Sequence, residues 1–234
     1  MSLAVAILAG GLATRMLPFT EKSPKSLINV AGDYFICHQL RYLKQQGITK
    51  VVLCVGHLGE QIEAVVGSGK AFGLEVCYSW DGSELLGTGG ALKKALPLLG
   101  KAFFILYGDS YLPIDFSDME TCFHKGDKPA LMAVYKNKNK WDKSNVIFNK
   151  NQSVEYNKSE PKPEMEYIDY GLTILSALEL KNFPAEGAFD LAELYQQLSQ
   201  QGTLNGHEVF ERFYEIGSME GLSEVIERFR LVKI

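Results

Sequence analysis

The sequence is poor in the residues that most covalent and redox chemistry needs. Its 234 residues hold only four histidines, none at metal-ligand spacing, so a histidine zinc site has no footing. The four cysteines, Cys37, Cys54, Cys77 and Cys122, are scattered and form no C-x-x-C pair. Cys54 and Cys77 lie in apolar strand-like runs, which predicts buried free thiols and a reducing cytosol. No G-x-S-x-G elbow and no Cys-His pairing supports a covalent hydrolase. The two familiar glycine-rich phosphate motifs are missing as well. There is no G-x-G-x-x-G, and Gly67-Ser68-Gly69-Lys70 runs into Ala71 without the earlier glycine of a P-loop. A net charge of −4 argues against electrostatic nucleic-acid binding while leaving room for a local basic site. No apolar run approaches a membrane span, and the start of the chain shows neither a basic n-region nor a small-residue cleavage site, so the expected location is cytoplasmic.

What is present begins at once. Residues 3–8 are short, apolar and β-rich, the pattern of a buried strand, and they run into Ala9-Gly10-Gly11-Leu12-Ala13-Thr14-Arg15-Met16-Leu17-Pro18, with Pro24-Lys25 following. Paired glycines at a strand's carboxyl end bare backbone N–H groups at the edge where open α/β sheets bind ligands. Arg15 and Lys25 add the positive charge that polyphosphates require. The loop reads as a triphosphate cradle.

Strands and helices alternate over the first half. Strands are expected at 51–55, 74–78 and 102–106, and helices at 34–46 (stopped by Gly47), 61–66 and 89–96, which implies a mostly parallel sheet with helices on both faces. Past Tyr107, strand patterns at 130–135, 145–148, 153–156 and 167–175 are separated by turns and charged segments. A helix at 190–200, a strand near 213–216 and a helix at 219–230 follow, with Asp190 and Ser218 where N-caps are expected. The Lys136-to-Lys140 run reads as a solvated loop or a flap near a second substrate. The chain is expected to be a single domain, 1–234, with a nucleotide-binding half (1–112) and an acceptor half (113–234). Asp109, in Tyr107-Gly108-Asp109, ends the fourth strand beside the glycine loop, where a carboxylate suits Mg²⁺.

The pattern G-G-x-x-T-R-M-x-P…P-K resembles the signature loop of the sugar-1-phosphate nucleotidylyltransferases, and the small mannose- or heptose-1-phosphate guanylyltransferase-like members in particular. The resemblance implies an α/β, GT-A-like Rossmannoid nucleotidyltransferase fold, three-layer α/β/α with a mixed, mainly parallel central sheet. It implies an Mg²⁺-dependent reaction of an NTP with a sugar 1-phosphate, giving an NDP-sugar and pyrophosphate for surface polysaccharide or cell-wall precursors. Leu8, Gly10, Gly11, Gly87 and Thr88 would bind the nucleotide, Gly87 near the base and Thr88 capping its helix. Arg15 would face the leaving pyrophosphate and Lys25 the α-phosphate. Asp109 would be the first metal ligand, and Glu215 the second, at a place where the family has aspartate. Lys158 would meet the sugar phosphate, with Lys162 a possible substitute, and Asp169 and Gly171 would line the sugar pocket. His57, near the nucleotide edge, is a candidate for ligand contact, His38 is expected to pack on its helix, and His124 and His207 to lie on the surface. No nucleic acid or membrane partner is expected, and the assembly would be a monomer or small homo-oligomer. Two other readings are a cytidylyltransferase acting on phosphocholine and a catalytically weak nucleotide-sugar-binding regulatory protein.

Overall fold

The apolar run that opens the chain becomes the strand around which the others are laid. The computed structural model describes residues 2–16 and 20–231, except the side chains of Arg15 and Leu231. In chain order its strands are β1 (Ala4–Leu8), β2 (Asn29–Val30), β3 (Asp33–Tyr34), β4 (Lys50–Val55), β5 (Glu75–Trp80), β6 (Ala102–Tyr107), β7 (Ser110–Tyr111), β8 (Ala130–Lys136), β9 (Val146–Phe148), β10 (Val154–Tyr156), β11 (Tyr167–Ser176), β12 (Leu204–Val209) and β13 (Tyr214–Glu215). The helices are α1 (Phe35–Gln45), α2 (Gly59–Val66), α3 (Gly87–Ala95), α4 (Phe116–Lys125), α5 (Ala177–Asn182), α6 (Leu191–Gln200) and α7 (Met219–Leu231).

Val5, Ala6 and Ile7 are fully buried between two parallel partners, Val5 standing opposite Val51 of β4 and Phe104 of β6. A strand covered on both faces shows no polar alternation, which is why residues 3–8 read as one apolar run. The strands β5-β4-β1-β6 are parallel throughout. The chain moves outward from β1 to β5 and then returns to place β6 on the other side of β1. The carboxyl ends of β1 and β6 therefore flank a topological switch point, the usual ligand crevice of such sheets. Beyond β6 the pairing turns antiparallel through β11 and β8, and β12 closes that edge parallel to β8. β9 and β10 attach at the start of β11. Val5 and Ile7 pack under Ile36, Leu40 and Leu43 of α1, while Ala6 faces Leu92 of α3 and the same core as Leu194 of α6. Three layers result, as expected from the alternation.

A third, smaller core joins distant parts of the chain. Met16 from the loop after β1, Phe35, Tyr111, Ile216 and Leu222, Val225 and Phe229 of α7 bury one another. Met16 is 1% exposed, so the methionine of the glycine loop is an anchor that ties the loop to α7.

Several features differ from the sequence expectation. Helix α4 was not expected, because only Phe116 and Met119 of its residues are buried and its apolar period is faint. Its local signal is Asp115, whose side chain accepts the N–H groups of Ser117 and Asp118. Strand β12 was missed because L-N-G-H-E-V is mostly polar, as befits an edge strand. It leaves His207 half-buried rather than on the surface, whereas His38 packs as expected, its ring 4.4 Å from that of Phe229. Cys54 is buried but Cys77 only partly so, and all four cysteines are free. Asp190 builds a full capping box at α6, and the Ser218 hydroxyl accepts the Gly221 N–H at α7, so both caps stand as expected. Among the described residues no helix is long and apolar enough to cross a membrane.

Candidate active site

Two cavities meet at the switch point. The first is walled by Leu8, Gly10 and Gly11 of the loop after β1, by Lys25 and Ser26, by Asp81, by Gly87 and Thr88 of α3, and by Asp109. Backbone pairing continues one step past the strands: Ala9 N–H donates to Cys54 O, and Gly108 N–H to Leu8 O, both at 2.9 Å. The two loop glycines then differ. A Cβ on Gly10 would lie 3.0 Å from the Gly56 nitrogen, so the close passage of the turn after β4 favours glycine there. A Cβ on Gly11 would meet no described atom within 4 Å, and its φ is ordinary. Nothing among the described residues requires glycine at 11, which lines the cavity.

Lys25 enters from the short helical turn that Pro24 begins, and its Nζ lies 2.8 Å from Asp109 Oδ2. Asp109 also accepts the Ser110 hydroxyl at 3.3 Å. Ser26 lines the cavity, and its buried hydroxyl has no hydrogen-bond partner among the described residues. An orphan hydroxyl of that kind is uncommon. Asp81 escaped the sequence reading, since Trp80-Asp81-Gly82 looks like an ordinary turn. Its Oδ2 accepts the Leu86 N–H at 3.2 Å, and burial raises its carboxyl above the usual value against the pull of that N–H and Lys94. Arg15's side chain, Leu17 and Pro18 lie outside the described residues. His57 is exposed and does not line the cavity.

The Gly87-to-Gly90 segment has a second duty that the sequence did not disclose. Gly87 sits at φ +67°, and Cβ atoms on Gly87, Gly89 and Gly90 would strike Phe189 O at 2.6 Å, the Phe189 ring at 2.2 Å and Gly187 O at 2.2 Å. These glycines let the segment before α6 lie flat on α3, where Gly89 N–H donates to Phe189 O and Phe189 N–H to Leu86 O. Thr88 does not cap its own helix. Its hydroxyl donates to Asp190 Oδ1 at 3.0 Å and accepts the Leu191 N–H at 2.8 Å, so it braces the start of α6 instead.

The second cavity shares Tyr107 and Asp109 with the first and adds Asp142, Lys143, Asn145, Tyr156, Lys158, Asp169, Gly171 and Glu215 among others. Asp169 lies in a bulge of β11 created at Gly171, whose φ is +90°. The Gly171 N–H donates to Asp169 Oδ1 at 3.0 Å, and the Asp169 N–H donates to Asn145 Oδ1 at 2.9 Å. Burial pushes the Asp169 carboxyl up to about 6 despite the Gly171 N–H and the nearby Lys158. Lys158 lines the cavity with its ammonium 3.0 Å from Asp190 Oδ2, so Asp190 links it to Thr88 in the wall of the first cavity. Lys162 pairs with Glu155 and does not line the cavity.

Glu215 reaches the site on a small ribbon. β13 pairs with β7, Glu215 opposite Ser110, and Ile216 N–H donates to Asp109 O at 2.9 Å. Oxygens of Glu215 and Asp109 both lie within 4 Å of the point a Cβ on Gly217 would occupy. Two hard carboxylates thus converge beside Lys25. Among the described residues no cluster of three or more His, Cys, Asp or Glu side chains forms a complete metal cage.

The 142–145 wall was also missed. Lys136, Lys138, Asn139 and Lys140 are exposed, as a solvated loop requires. Asn137 in that run is instead buried, its amide donating to Asp142 O at 2.6 Å and to Ser144 Oγ at 3.1 Å. The run pins the wall that follows it.

The sequence matches the nucleotidyl transferase family over residues 4–227. It is 43% identical over 112 residues to N-acetylmuramate alpha-1-phosphate uridylyltransferase of Neisseria meningitidis, a match covering 47% of this chain and 48% of that protein. The chain thus aligns with about half the length of that relative. Identity to D-glycero-alpha-D-manno-heptose 1-phosphate guanylyltransferase of Campylobacter jejuni is 27% over 192 residues, covering 82% of this chain and 84% of that one. The fold matches HddC from Yersinia pseudotuberculosis, solved with GMP-PN, at a TM-score of 0.82 and 23% identity, over 97% of this chain and all of that one.

Proposed function

Because this chain belongs to the nucleotidyl transferase family, we propose that it transfers a nucleotidyl group from an NTP to a sugar 1-phosphate. The observation that carries the reading is the meeting of two cavities at one carboxylate, Asp109, with the Lys25 ammonium 2.8 Å away. The first cavity takes the NTP and the second the acceptor, so residues 1–112 act as the nucleotide half and 113–234 as the acceptor half.

In this reaction an oxygen of the sugar phosphate attacks the α-phosphorus. A new P–O bond forms, the bond from the α-phosphorus to the bridging oxygen breaks, and pyrophosphate leaves with that electron pair. The attacking oxygen is already anionic, so no general base is needed. The barrier lies in bringing two polyanions together, and positioning with electrostatic stabilisation carries the rate. Lys25 holds the α-phosphate and Lys158 steadies the incoming phosphate, while the family resemblance assigns Arg15 to the leaving pyrophosphate. Gly11, where a Cβ would meet no described atom, leaves the phosphate chain room.

The donor set fits Mg²⁺, a hard ion commonly held by one or two carboxylates together with substrate phosphates. Asp109 and Glu215 would hold it, and when bound it would offset negative charge on the phosphate oxygens. The product is an activated sugar for polysaccharide or cell-wall precursor assembly.

Pyrophosphate release from each of four NTPs against a panel of sugar 1-phosphates, with Mg²⁺ present, tests the proposal. Lys25→Ala and Asp109→Ala should each lower turnover by about 10²-fold or more, with the circular dichroism spectrum unchanged. Near-wild-type turnover in either variant, or no pyrophosphate from any pair, would defeat it.

A further inference from the structure

The acceptor cavity is rich in negative charge. Asp109, Asp142, Asp169 and Glu215 all line it, yet the substrate proposed for it carries roughly −1.5 to −2 at neutral pH. Its cations therefore matter, and they are not equivalent. Lys25, at the junction, is paired with Asp109, and Lys158 is paired with Asp190, which itself caps α6. Lys162 is held by Glu155 outside the cavity. Lys143 lines the cavity and makes no ion pair among the described residues.

Its backbone is firmly held. The Lys143 N–H donates to Asp142 Oδ1 at 2.6 Å, the carbonyl before it accepts from buried Asn137, and the Ser144 N–H after it donates to Asn139 Oδ1 at 2.8 Å. Lys143 is an exposed cation on a loop tied by these bonds, at the lining of a cavity with four carboxylates, and so is placed to meet an anion brought in by the ligand. Resting on the acceptor assignment made above, we propose that Lys143 binds an anionic oxygen of the acceptor, either its phosphate or a carboxylate on the sugar.

The test is calorimetric binding of glucose 1-phosphate and of glucuronic acid 1-phosphate to wild type, Lys143→Gln and Lys143→Arg, with Mg²⁺ and a non-hydrolysable NTP present. Lys143→Gln should weaken acceptor binding about tenfold, Lys143→Arg should restore most of it, and NTP affinity and Tm should hold. An equal loss for both sugars assigns the contact to the phosphate, and a loss confined to the acidic sugar assigns it to the carboxylate. Unchanged affinity for an acceptor that wild type binds overturns the inference while leaving the transferase reading standing. A wild type that binds neither acceptor and releases no pyrophosphate from any NTP–sugar 1-phosphate pair overturns both.

Discussion

Gly10 and Gly11 look alike in sequence and do different things. The first is glycine because the Gly56 backbone is 3.0 Å from where its Cβ would be, whereas the second faces open space with an ordinary φ. Alanine at 11 therefore strains nothing among the described residues, and by restricting the unfolded chain it should leave stability unchanged or raise it by up to about 1 kcal/mol. The same methyl group would intrude on the cavity proposed for the NTP. Gly11→Ala is expected to raise the NTP KM about tenfold or more with Tm unchanged or higher, read by steady-state kinetics beside thermal melts. A lowered Tm with unaltered NTP KM would mean that the glycine is structural. Ser26 and Asp81 add the complementary lesson: a serine after Pro-Lys and an aspartate in a turn carry no pattern, and only burial makes them informative.

The elements show what was legible before the structure and what was not. β1, β4 and β6 could be read because strands buried on both faces leave unbroken apolar runs, and their order places Gly10, Gly11 and Asp109 at one edge. β12 and α4 could not, since an edge strand and a helix with two buried residues leave little period to detect. The seam between α3 and the segment before α6 was invisible for another reason. The glycines of Gly87-Thr88-Gly89-Gly90 suit a ligand contact equally well, so their packing partner some 100 residues later left no trace in the local pattern. That seam can be tested at Gly90, whose Cβ would sit 2.2 Å from Gly187 O, a backbone atom that cannot swing aside. Gly90→Ala should cost about 1–3 kcal/mol of stability, the range for overpacking, measured by urea unfolding. An unchanged midpoint would show that the segment yields freely and that Thr88 and Asp190 are not held in place by it.

At the scale of the whole molecule, the ends of the chain meet in the small core under the site. Met16 follows the glycine loop, Ile216 follows Glu215, and both are buried with Phe229 of α7. The glycine loop and the Glu215 ribbon thus share one helix, none of whose described residues lines either cavity. Phe229 is central to it, its ring 4.7 Å from that of Tyr111 and 4.4 Å from His38. Phe229→Ala would open a cavity there and should destabilise this region by roughly 3 kcal/mol. The large β-sheet core does not depend on Phe229, so the loss should appear as local opening before global unfolding. Hydrogen exchange should then show faster exchange at α7, at the loop around Met16 and at Tyr214 to Ile216 together, while β1, β4 and β6 keep their protection. A rise confined to α7 would show that the loop and the Glu215 ribbon hold their places without the helix.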